Sequence, residues 1–447
     1  MTDIREAKYF TAADISQRGL QGLPDELVSS RHLIYSSPAT LAFNSPGAEG
    51  FGVKRAGLAI PGSVMLLVAP GCCGRNTSLI SSMPEYNDRF FYLNMNETDV
   101  VTGRHLRKIP QAVCEVVDSL DDKPSVVMIC ITCVDALLGT DMERVCRKAE
   151  EKAGLPVRPC YMYALTREGR KPPMIHVRQS LYSMLEPMKK RGTSVNLLGF
   201  FAPVCDNYEL KDYLRGIGVR QIRQISTSAD FNDFLCMAEA NFNIVLHPEA
   251  RLAAKDLEER LGIPSIELTR MYRIDRIRSQ YAALGNVLGV KFDDAAGYSE
   301  AEQAIEDFKS ISSKYIEERR GFSDTETVHK KLRIAVGECM NGDPFELALA
   351  LTEYGCEVTE IFGTLQGENF RYLEKLAEIS PDTRIYSNME PTMLYYDSAD
   401  TPADVTVGKD AGYYHPECPC VQWNSDVQPY GYAGLRHLMR SLAEVLK

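Results

Sequence analysis

The sequence SVMLLVAPGCCGRNTS occupies residues 63–78. Its first eight residues form an apolar run of strand length, which is typical of a strand covered on both faces of a parallel sheet. The run stops at a turn in which Gly71 and Gly74 flank two adjacent cysteines, Cys72 and Cys73. Adjacent cysteines are awkward as core residues and strained as a disulfide, so the turn is predicted to present a thiol for chemistry.

Further strand-length apolar runs alternate with segments of helical periodicity along the chain. This alternation indicates βαβ units and parallel sheets. The runs lie at residues 125–133, 194–201, 242–248, 332–338, 357–362 and 404–409. The helical segment 249–262 ends at a glycine, and the segment 344–355 begins with a proline and also ends at a glycine, which is typical of helix termini. We therefore predict an α/β protein built from Rossmann-like domains.

Two breaks in this pattern divide the 447-residue chain, which is too long for a single hydrophobic core. The basic segment 188–194 follows the first block, and the long amphipathic stretch 300–321 leads into the last one. We predict three Rossmann-like domains with parallel sheets, at residues 1–190, 191–325 and 326–447. A cluster and a pocket are expected at the carboxyl ends of the strands, between the domains.

Composition and motif absences exclude several classes of function. The formal net charge of −11 argues against a nucleic-acid partner, which would require a basic surface. No apolar segment reaches the roughly 18 residues of a membrane span, and MTDIREAKYF lacks a signal region, so we expect a cytoplasmic protein without a membrane partner. The chain has no GxxxxGK[ST] loop and therefore does not itself bind ATP in the P-loop manner.

Thiol and imidazole side chains recur where the predicted strands end. The thirteen cysteines come without an export signal, so a disulfide framework is not expected. The residues at strand ends are Cys72, Cys73, Cys133, His247 and Cys339. Because the carboxyl ends of parallel strands share one edge, this distribution predicts a soft-metal or iron–sulfur site. Side chains alternate along the run 125–133, so Cys133 is interpreted as the ligand and Cys130 as core.

Three stretches resemble segments of the nitrogenase component 1 family. APGCCGRNTS resembles that family's GP-x-GC turn, which places Cys73, rather than Cys72, on its cluster cysteine. ITCVDALLGTD resembles ECP-x-G-L-I-G-D-D without a gap and places Cys133 on a second cluster cysteine. NMNETDVVTGRHLRKI, between them, resembles an acidic E-x-D-x-V-x-G segment. Further on, LEERLGIP (257–264) and PYGYAGLRHLMRSL (429–442) resemble the family's EEK-x-GIP and PYHGYDGF segments in the same order.

The resemblance implies an oxidoreductase component. A separate ATP-dependent iron protein would deliver low-potential electrons through an iron–sulfur cluster at a subunit interface, and an unidentified substrate would be reduced. An identical copy of the chain or a related component 1 subunit would be the partner across that interface. One alternative is a scaffold on which a metallocluster is assembled without turnover, and a second is a redox-silent relative that keeps the fold as a binding module.

The sequence departs from the family at the cluster. The family's N-terminal cluster cysteine would fall within residues 41–51, where there is none. With Cys73 and Cys133 alone, two subunits offer four thiolates, the requirement of a [4Fe–4S] cluster on the two-fold axis of a dimer. If Cys72 replaces the missing ligand, the count returns to six and a larger cluster is possible.

The ligands of the family's active-site cofactor are also missing. Their positions fall at Leu246 or His247 and near Val421, so a dinitrogen reductase of the usual kind is not expected. His247, Cys418 and Cys420 lie near these positions and form a possible second site for a metal cofactor, a tetrapyrrole or another substrate; the alternative is a capping histidine and two packed cysteines. Cys339 is a further candidate for this site or pocket. Its polar neighbours Glu338, Asn341 and Asp343 are either pocket groups or, as we favour, helix-capping residues.

Overall fold

A computed structural model of the protein describes residues 6–28, 38–39, 52–71, 77–162, 171–320 and 331–447. The chain divides into two compact units. The first comprises Met1–Gly50, Val204–Ile217 and Arg270–Lys447, and the second comprises Phe51–Pro203 and Gly218–Thr269. Within the described ranges, none of the helices combines the length and the hydrophobicity that crossing a membrane requires.

The second unit holds two four-stranded sheets in which every strand pair is parallel. The first sheet has the order β3-β2-β4-β5 and consists of β2 (Ser63–Ala69), β3 (Phe90–Asn94), β4 (Val126–Ile131) and β5 (Val157–Tyr161). The second sheet has the order β7-β6-β8-β9 and consists of β6 (Arg191–Leu198), β7 (Gln221–Arg223), β8 (Ala240–Val245) and β9 (Ser265–Glu267).

The first unit holds a third sheet, with the order β1-β12-β11-β10-β13-β14. Its strands are β1 (Tyr9–Thr11), β10 (Arg333–Val336), β11 (Glu357–Phe362), β12 (Arg384–Tyr386), β13 (Val405–Val407) and β14 (Cys420–Val421). All neighbours are parallel except β1, which pairs antiparallel with β12. Three parallel-stranded sheets confirm the predicted α/β class with Rossmann-like domains, whereas the boundaries at residues 190 and 325 stay predictions.

Helices connect most of these strands. In chain order they are α1 (Ala12–Arg18), α2 (Gly52–Gly57), α3 (Thr77–Ser81), α4 (Glu97–Thr102), α5 (Arg104–Asp118), α6 (Cys133–Leu137), α7 (Met142–Ala153), α8 (Pro173–Tyr182), α9 (Leu210–Gly216), α10 (Phe231–Leu235), α11 (Arg251–Leu261), α12 (Ile274–Leu288), α13 (Ala295–Arg320), α14 (Pro344–Glu353), α15 (Phe370–Ile379), α16 (Lys409–Tyr414) and α17 (Gly431–Val445).

Local chemistry explains why these elements begin and end where they do. Every residue of β2 and of β4 is buried, as expected for strands with helices on both faces. Helix α11 ends at Gly262, which adopts a left-handed φ of 63° that glycine tolerates without strain. Helix α14 begins at Pro344, and its N-cap is Asp343, whose carboxylate accepts hydrogen bonds from two backbone N–H groups of the first turn. The predicted capping role is thereby confirmed for Asp343.

The strand predicted at residues 125–133 extends beyond the C-terminal end of the observed strand. Strand β4 ends at Ile131, Thr132 is the N-cap, and Cys133 is the first residue of helix α6. Cys130 is fully buried, as expected for a core residue. The prediction that Cys133 ends the strand is therefore wrong, because a short helix begins one residue after the buried run.

Candidate functional site

All three sheets share one connection pattern at their centre. In each, the first of the parallel strands is followed by a strand on one side, and the chain later returns to the other side of that first parallel strand. Such a reversal opens a crevice beyond the carboxyl ends of the two strands that flank it, and ligands bind there in open α/β sheets. These switch points lie between β2 and β4, between β6 and β8, and between β10 and β13.

The switch point of the first sheet carries the predicted cluster cysteine Cys133. Val68 of β2 pairs with Ile131 of β4, so the two strands leave the sheet side by side. Gly71 follows β2, and the half-buried Cys133 follows β4. Cys72 and Cys73, the other predicted ligands, lie outside the described residues.

The acidic segment between the two cysteine motifs forms the corner between helices α4 and α5 at the same edge, and hydrogen bonds hold this corner in place. Asp99 and Asn96 cap helix α4 reciprocally, each side chain accepting from the other's backbone N–H. Asp99 Oδ1 also accepts hydrogen bonds from Lys108 Nζ at 2.8 Å and Arg104 Nε at 2.7 Å. These two cations, Lys108 first, hold the pKa of the Asp99 carboxyl well below its usual range.

A buried histidine joins this corner to the helix that begins at Cys133. His105 Nε2 lies 2.8 Å from Asp135 Oδ1, and His105 Nδ1 lies 2.9 Å from the carbonyl oxygen of Asp99. A carbonyl oxygen can only accept, so Nδ1 carries a proton. His105 and Asp135 are 1% and 0% exposed, so the contact fixes helix α6 against the α4–α5 corner.

Two buried polar atoms flank Cys133 without a hydrogen-bond partner in the described structure. One is the Thr132 hydroxyl, which does not cap its own helix, and the other is Asp135 Oδ2. Leaving such groups unpaired costs about 1–3 kcal/mol each. A hydroxyl is a donor suited to a cluster sulfur, so this edge fits an iron–sulfur group held by the adjacent thiolate.

Exposed apolar side chains occur on two helices that follow strands at the same edge. Val101 on α4 is 85% exposed, and Leu137 and Leu138 at the end of α6 are 70% and 51% exposed. His105 on helix α5 links these two helices, because its ring contacts Asp99 of α4 on one side and Asp135 of α6 on the other. Apolar side chains grouped on a surface in this way are typical of a protein–protein interface.

The switch point of the second sheet carries His247, just beyond β8. Its Nδ1 accepts a hydrogen bond from Glu249 N at 3.3 Å and so caps the turn that follows. Gly199, just beyond β6, packs against it so closely that a Cβ there would lie 2.7 Å from His247 N. Arg178 secures Gly199 by donating twice to its carbonyl oxygen and once to Glu249. The geometry is that of the capping alternative for His247, with a half-exposed imidazole.

The other three candidate cysteines lie in the third sheet. Cys339 is fully buried just beyond β10. The thiols of Cys418 and Cys420 lie 3.2 and 3.5 Å from the carbonyl oxygens of Ala403 and Gly408. Burial raises the pKa of both thiols, which favours the protonated form over a metal-binding thiolate. Among the described residues, no three His, Cys, Asp or Glu side chains are grouped so as to hold a metal ion.

The switch point of the third sheet is instead lined with carboxyl and amide groups. Glu338 and Asp410, from the ends of β10 and β13, are bridged by the amide of Asn388. Sequence reasoning named Glu338 as either a pocket group or, by preference, a helix cap, and did not identify Asp410 or Asn388. Neither did it identify His105 and Asp135, because each of these contacts joins residues far apart in the sequence. Among these residues, Asp410 alone carried a visible signal, because it is an acidic residue directly after the predicted strand 404–409.

Comparison with known proteins places the chain in a family. The family model described as nitrogenase component 1 type oxidoreductase matches residues 49–447. The chain belongs to the nitrogenase component 1 family. Relatives include the nitrogenase iron–molybdenum cofactor biosynthesis protein NifE of Sinorhizobium fredii, 24% identical over 91% of this chain and 82% of that protein. The NifE protein of Mesorhizobium japonicum is 25% identical over the same shares of the two chains.

A solved structure supports the fold independently of those sequences. The structure titled nitrogenase Cp1 at pH 6.5 superposes with a TM-score of 0.70 at 17% sequence identity and covers 96% of each chain. A second, of nitrogenase Cp1 at pH 5, gives a TM-score of 0.59 at 15% identity. The architecture of this nitrogenase component 1 family member is therefore shared with nitrogenase over nearly its whole length.

Proposed function

We propose that this chain is a metallocluster-assembly scaffold subunit. It holds an iron–sulfur cluster at the switch point of its first sheet, against a second protein chain, and passes metallocluster cargo on without substrate turnover. The observation that carries this proposal is the edge around Cys133, where a short helix begins at a thiol and ends at the exposed side chains of Leu137 and Leu138. The cofactor-biosynthesis names of the relatives, which this chain matches over 91% of its length, favour assembly over turnover.

Each residue at this edge has a distinct part. Cys133 supplies one thiolate, and Cys73 supplies the second, with Cys72 beside it. His105 and Asp135 hold helix α6, and with it Cys133, in place. Lys54 is 5% exposed and donates to the hydroxyl of Thr77 at 2.8 Å, directly after the cysteine turn. A buried ammonium at that position suits a cluster with net negative charge.

The second chain follows from the ligand count and from the apolar surface. Two thiolates per chain cannot satisfy four irons, whereas two chains offer four thiolates for a [4Fe–4S] cluster. An identical copy related by two-fold symmetry would bring the same surface of Val101, Leu137 and Leu138 against itself. A related component 1 subunit would meet the same requirement.

Anaerobic purification with iron and sulfide counts tests the cluster. We expect about four irons per dimer, with loss of most of the iron in Cys133→Ser. Cys114→Ser is the matched control, because Cys114 is also half-buried but lies on helix α5. Equal iron contents in the wild type and in Cys133→Ser would refute the ligand assignment.

A charge introduced into the apolar surface tests the interface. Leu137→Glu is expected to weaken dimerisation and lower the iron content together, as measured by analytical ultracentrifugation and iron analysis. Leu394→Glu is the control, since Leu394 is 67% exposed in the other compact unit and Leu137 is 70% exposed. An intact dimer in Leu137→Glu would show that the interface does not include this apolar surface.

The second candidate function is an oxidoreductase component that receives electrons from an ATP-dependent iron protein. The same edge supports it, because an interface cluster serves electron transfer as well as assembly. The two functions separate when the iron-loaded protein is mixed with a metal-free acceptor, or with an iron protein, ATP, a reductant and a tetrapyrrole. Iron transfer to the acceptor supports the scaffold, and ATP-dependent loss of the tetrapyrrole's absorption supports the reductase.

A further inference from the structure

The third sheet has a polar cluster at its switch point that the proposed function does not use. Four strand ends contribute to it: Glu338 after β10, Thr364 after β11, Asn388 after β12 and Asp410 after β13. This cluster is entirely within the first compact unit. It occupies the crevice where open α/β sheets bind their ligands.

The backbone at this edge is shaped around Asp410. A Cβ at Gly337 would lie 1.9 Å from Asp410 Oδ1, so only glycine fits there. The fully buried carboxylate of Asp410 accepts hydrogen bonds from the backbone N–H groups of Glu338 at 2.9 Å and Cys339 at 3.0 Å. Asp410 is thus a fixed and satisfied acceptor that holds the neighbouring loop.

Glu338 differs from Asp410 because it is partly exposed and has acceptor capacity to spare. Thr364 donates to Glu338 Oε2 through its N–H and its hydroxyl, at 3.1 and 3.4 Å, and Asn388 Nδ2 donates to Oε1 at 3.1 Å. Among the described residues, no Lys, Arg or His forms an ion pair with Glu338 or Asp410. The two carboxyls therefore lie close together without a positive charge between them.

Asn388 provides a separate sign of a missing partner. Its Nδ2 donates to Glu338 and also to Asp410 Oδ2 at 2.8 Å, which fixes the orientation of the amide, since the opposite orientation would set oxygen against oxygen. Its side chain is fully buried and points into the cluster, and its Oδ1 has no hydrogen-bond partner. An occupant of the switch point that carries a hydrogen-bond donor would satisfy this oxygen.

We propose that this switch point binds a small molecule through a cationic group with N–H donors, such as an ammonium or an amidinium. The Glu338 carboxylate supplies the opposite charge, and Asn388 Oδ1 accepts an N–H hydrogen bond. A carboxylate or phosphate ligand would be repelled by the two acids, and a quaternary ammonium would leave Asn388 Oδ1 unpaired.

The protonation of Glu338 gives this binding a measurable signature. Burial, and then the nearby Asp410 charge, raise the pKa of the Glu338 carboxyl to about 7. Asp410 is the titratable group that faces Glu338; the elements β11 and β12 contribute the uncharged Thr364 and Asn388, and Lys409 precedes Asp410 in the chain. Since a cation binds the ionised form, its apparent affinity follows the ionised fraction, which is about tenfold smaller at pH 6 than at pH 8.

Titration calorimetry of the metal-free chain with methylguanidinium chloride tests the proposal. Binding is expected to be about tenfold tighter at pH 8 than at pH 6, and Glu338→Gln should weaken it at pH 8 and remove the pH dependence. Glu378→Gln is the control, because Glu378 is an exposed carboxylate on helix α15. Tetramethylammonium, which lacks N–H donors, should not bind.

Each contrary result overturns the proposal. These are equal binding by the wild type and Glu338→Gln, equal binding at the two pH values, or tetramethylammonium binding as tightly as methylguanidinium. The measurement uses no iron, so a negative result would not bear on the iron–sulfur cluster proposed at Cys133. Refutation of that cluster would likewise not bear on the cation site at Glu338.

Discussion

A buried glutamate in the first compact unit makes stability depend on pH in an uncommon direction. Glu346 on helix α14 is 1% exposed. Its Oε2 accepts a hydrogen bond from Tyr272 N at 2.8 Å, and its Oε1 accepts one from Arg273 N at 3.3 Å and lies 3.4 Å from Arg273 Nε. Burial nevertheless raises the pKa of this carboxyl from 4.5 to about 7. In the folded protein this carboxyl is therefore about half protonated near pH 7 and mostly protonated below it.

The sign and size of the effect follow from this pKa. A raised carboxyl pKa stabilises the folded state fully below the unfolded pKa, and that stability is lost as the pH rises through the folded value. The difference between 4.5 and about 7 corresponds to about 3 kcal/mol, because one pKa unit is worth about 1.4 kcal/mol. Glu346→Gln, which keeps the shape and cannot ionise, should remove this loss.

The chain contains its own probe for the measurement. Trp423 is the single tryptophan, and its Nε1 donates at 2.6 Å to the hydroxyl of Tyr272, whose backbone contacts Glu346. Urea unfolding followed by tryptophan fluorescence therefore reports the region around Glu346. The free energy of unfolding of the wild type, minus that of Glu346→Gln, should fall by about 3 kcal/mol between pH 4.5 and pH 8.

Comparison of the two proteins isolates Glu346 from the other titrating groups. Glu338 titrates over the same range but is present in both proteins, so its contribution cancels in the difference. A difference in unfolding free energy that stays constant from pH 4.5 to pH 8 would refute the reasoning. In that case Arg273 would keep Glu346 ionised throughout, and the contact would be an ordinary ion pair.

Two further substitutions test the contacts that shape the switch points. Gly337→Ala should lower the free energy of unfolding by at least about 1–3 kcal/mol, because the added Cβ collides with Asp410, and tryptophan fluorescence measures this loss. Gly367→Ala is the control and should change little, since the nearest atom to an added Cβ there is 3.8 Å away. Equal effects of the two substitutions would contradict the close packing at Gly337. His105→Ala should cost about 3 kcal/mol, because the buried Asp135 carboxylate would lose its imidazole partner and keep the Thr140 hydroxyl at 3.1 Å, and it should speed amide hydrogen exchange in helix α6. The double variant with Asp135→Ala should regain part of that loss, so a simple sum of the two single effects would argue against a direct contact.

The predictability of the fold differed from element to element. Strands β2 and β4 could be predicted because uninterrupted apolar runs of strand length leave little alternative in an α/β chain. Strands β7, β9 and β14 have only two or three residues, too few for any periodicity to appear. Strand β1 was missed for another reason, since the partner that makes it a strand is distant in the sequence.

The features of the candidate site also differed in whether they could be predicted from the sequence. The position of Cys133 at a sheet edge could be predicted because it follows a recognisable strand. The start of helix α6 at Cys133 could not, because it depends on Asp135 being buried against His105, thirty residues earlier. The capping role of Asp343 was predictable from local chemistry, whereas the Asn388 amide between Glu338 and Asp410 is a product of tertiary packing alone.

The antiparallel pairing of β1 with β12 has a consequence for how the protein is made. Tyr9 pairs with Tyr386, so the ribosome must work for roughly 20 to 80 seconds, at 5–20 residues per second, between the two halves of this pair. During this time all of the second compact unit leaves the ribosomal exit tunnel and is free to fold. The segment that becomes β1 has no strand to pair with until β12 is synthesised. A variant truncated at its N-terminus beyond Thr11 would lack β1, so its β12 would be an unpaired sheet edge. That edge could pair with another copy of the chain translated from the same messenger RNA.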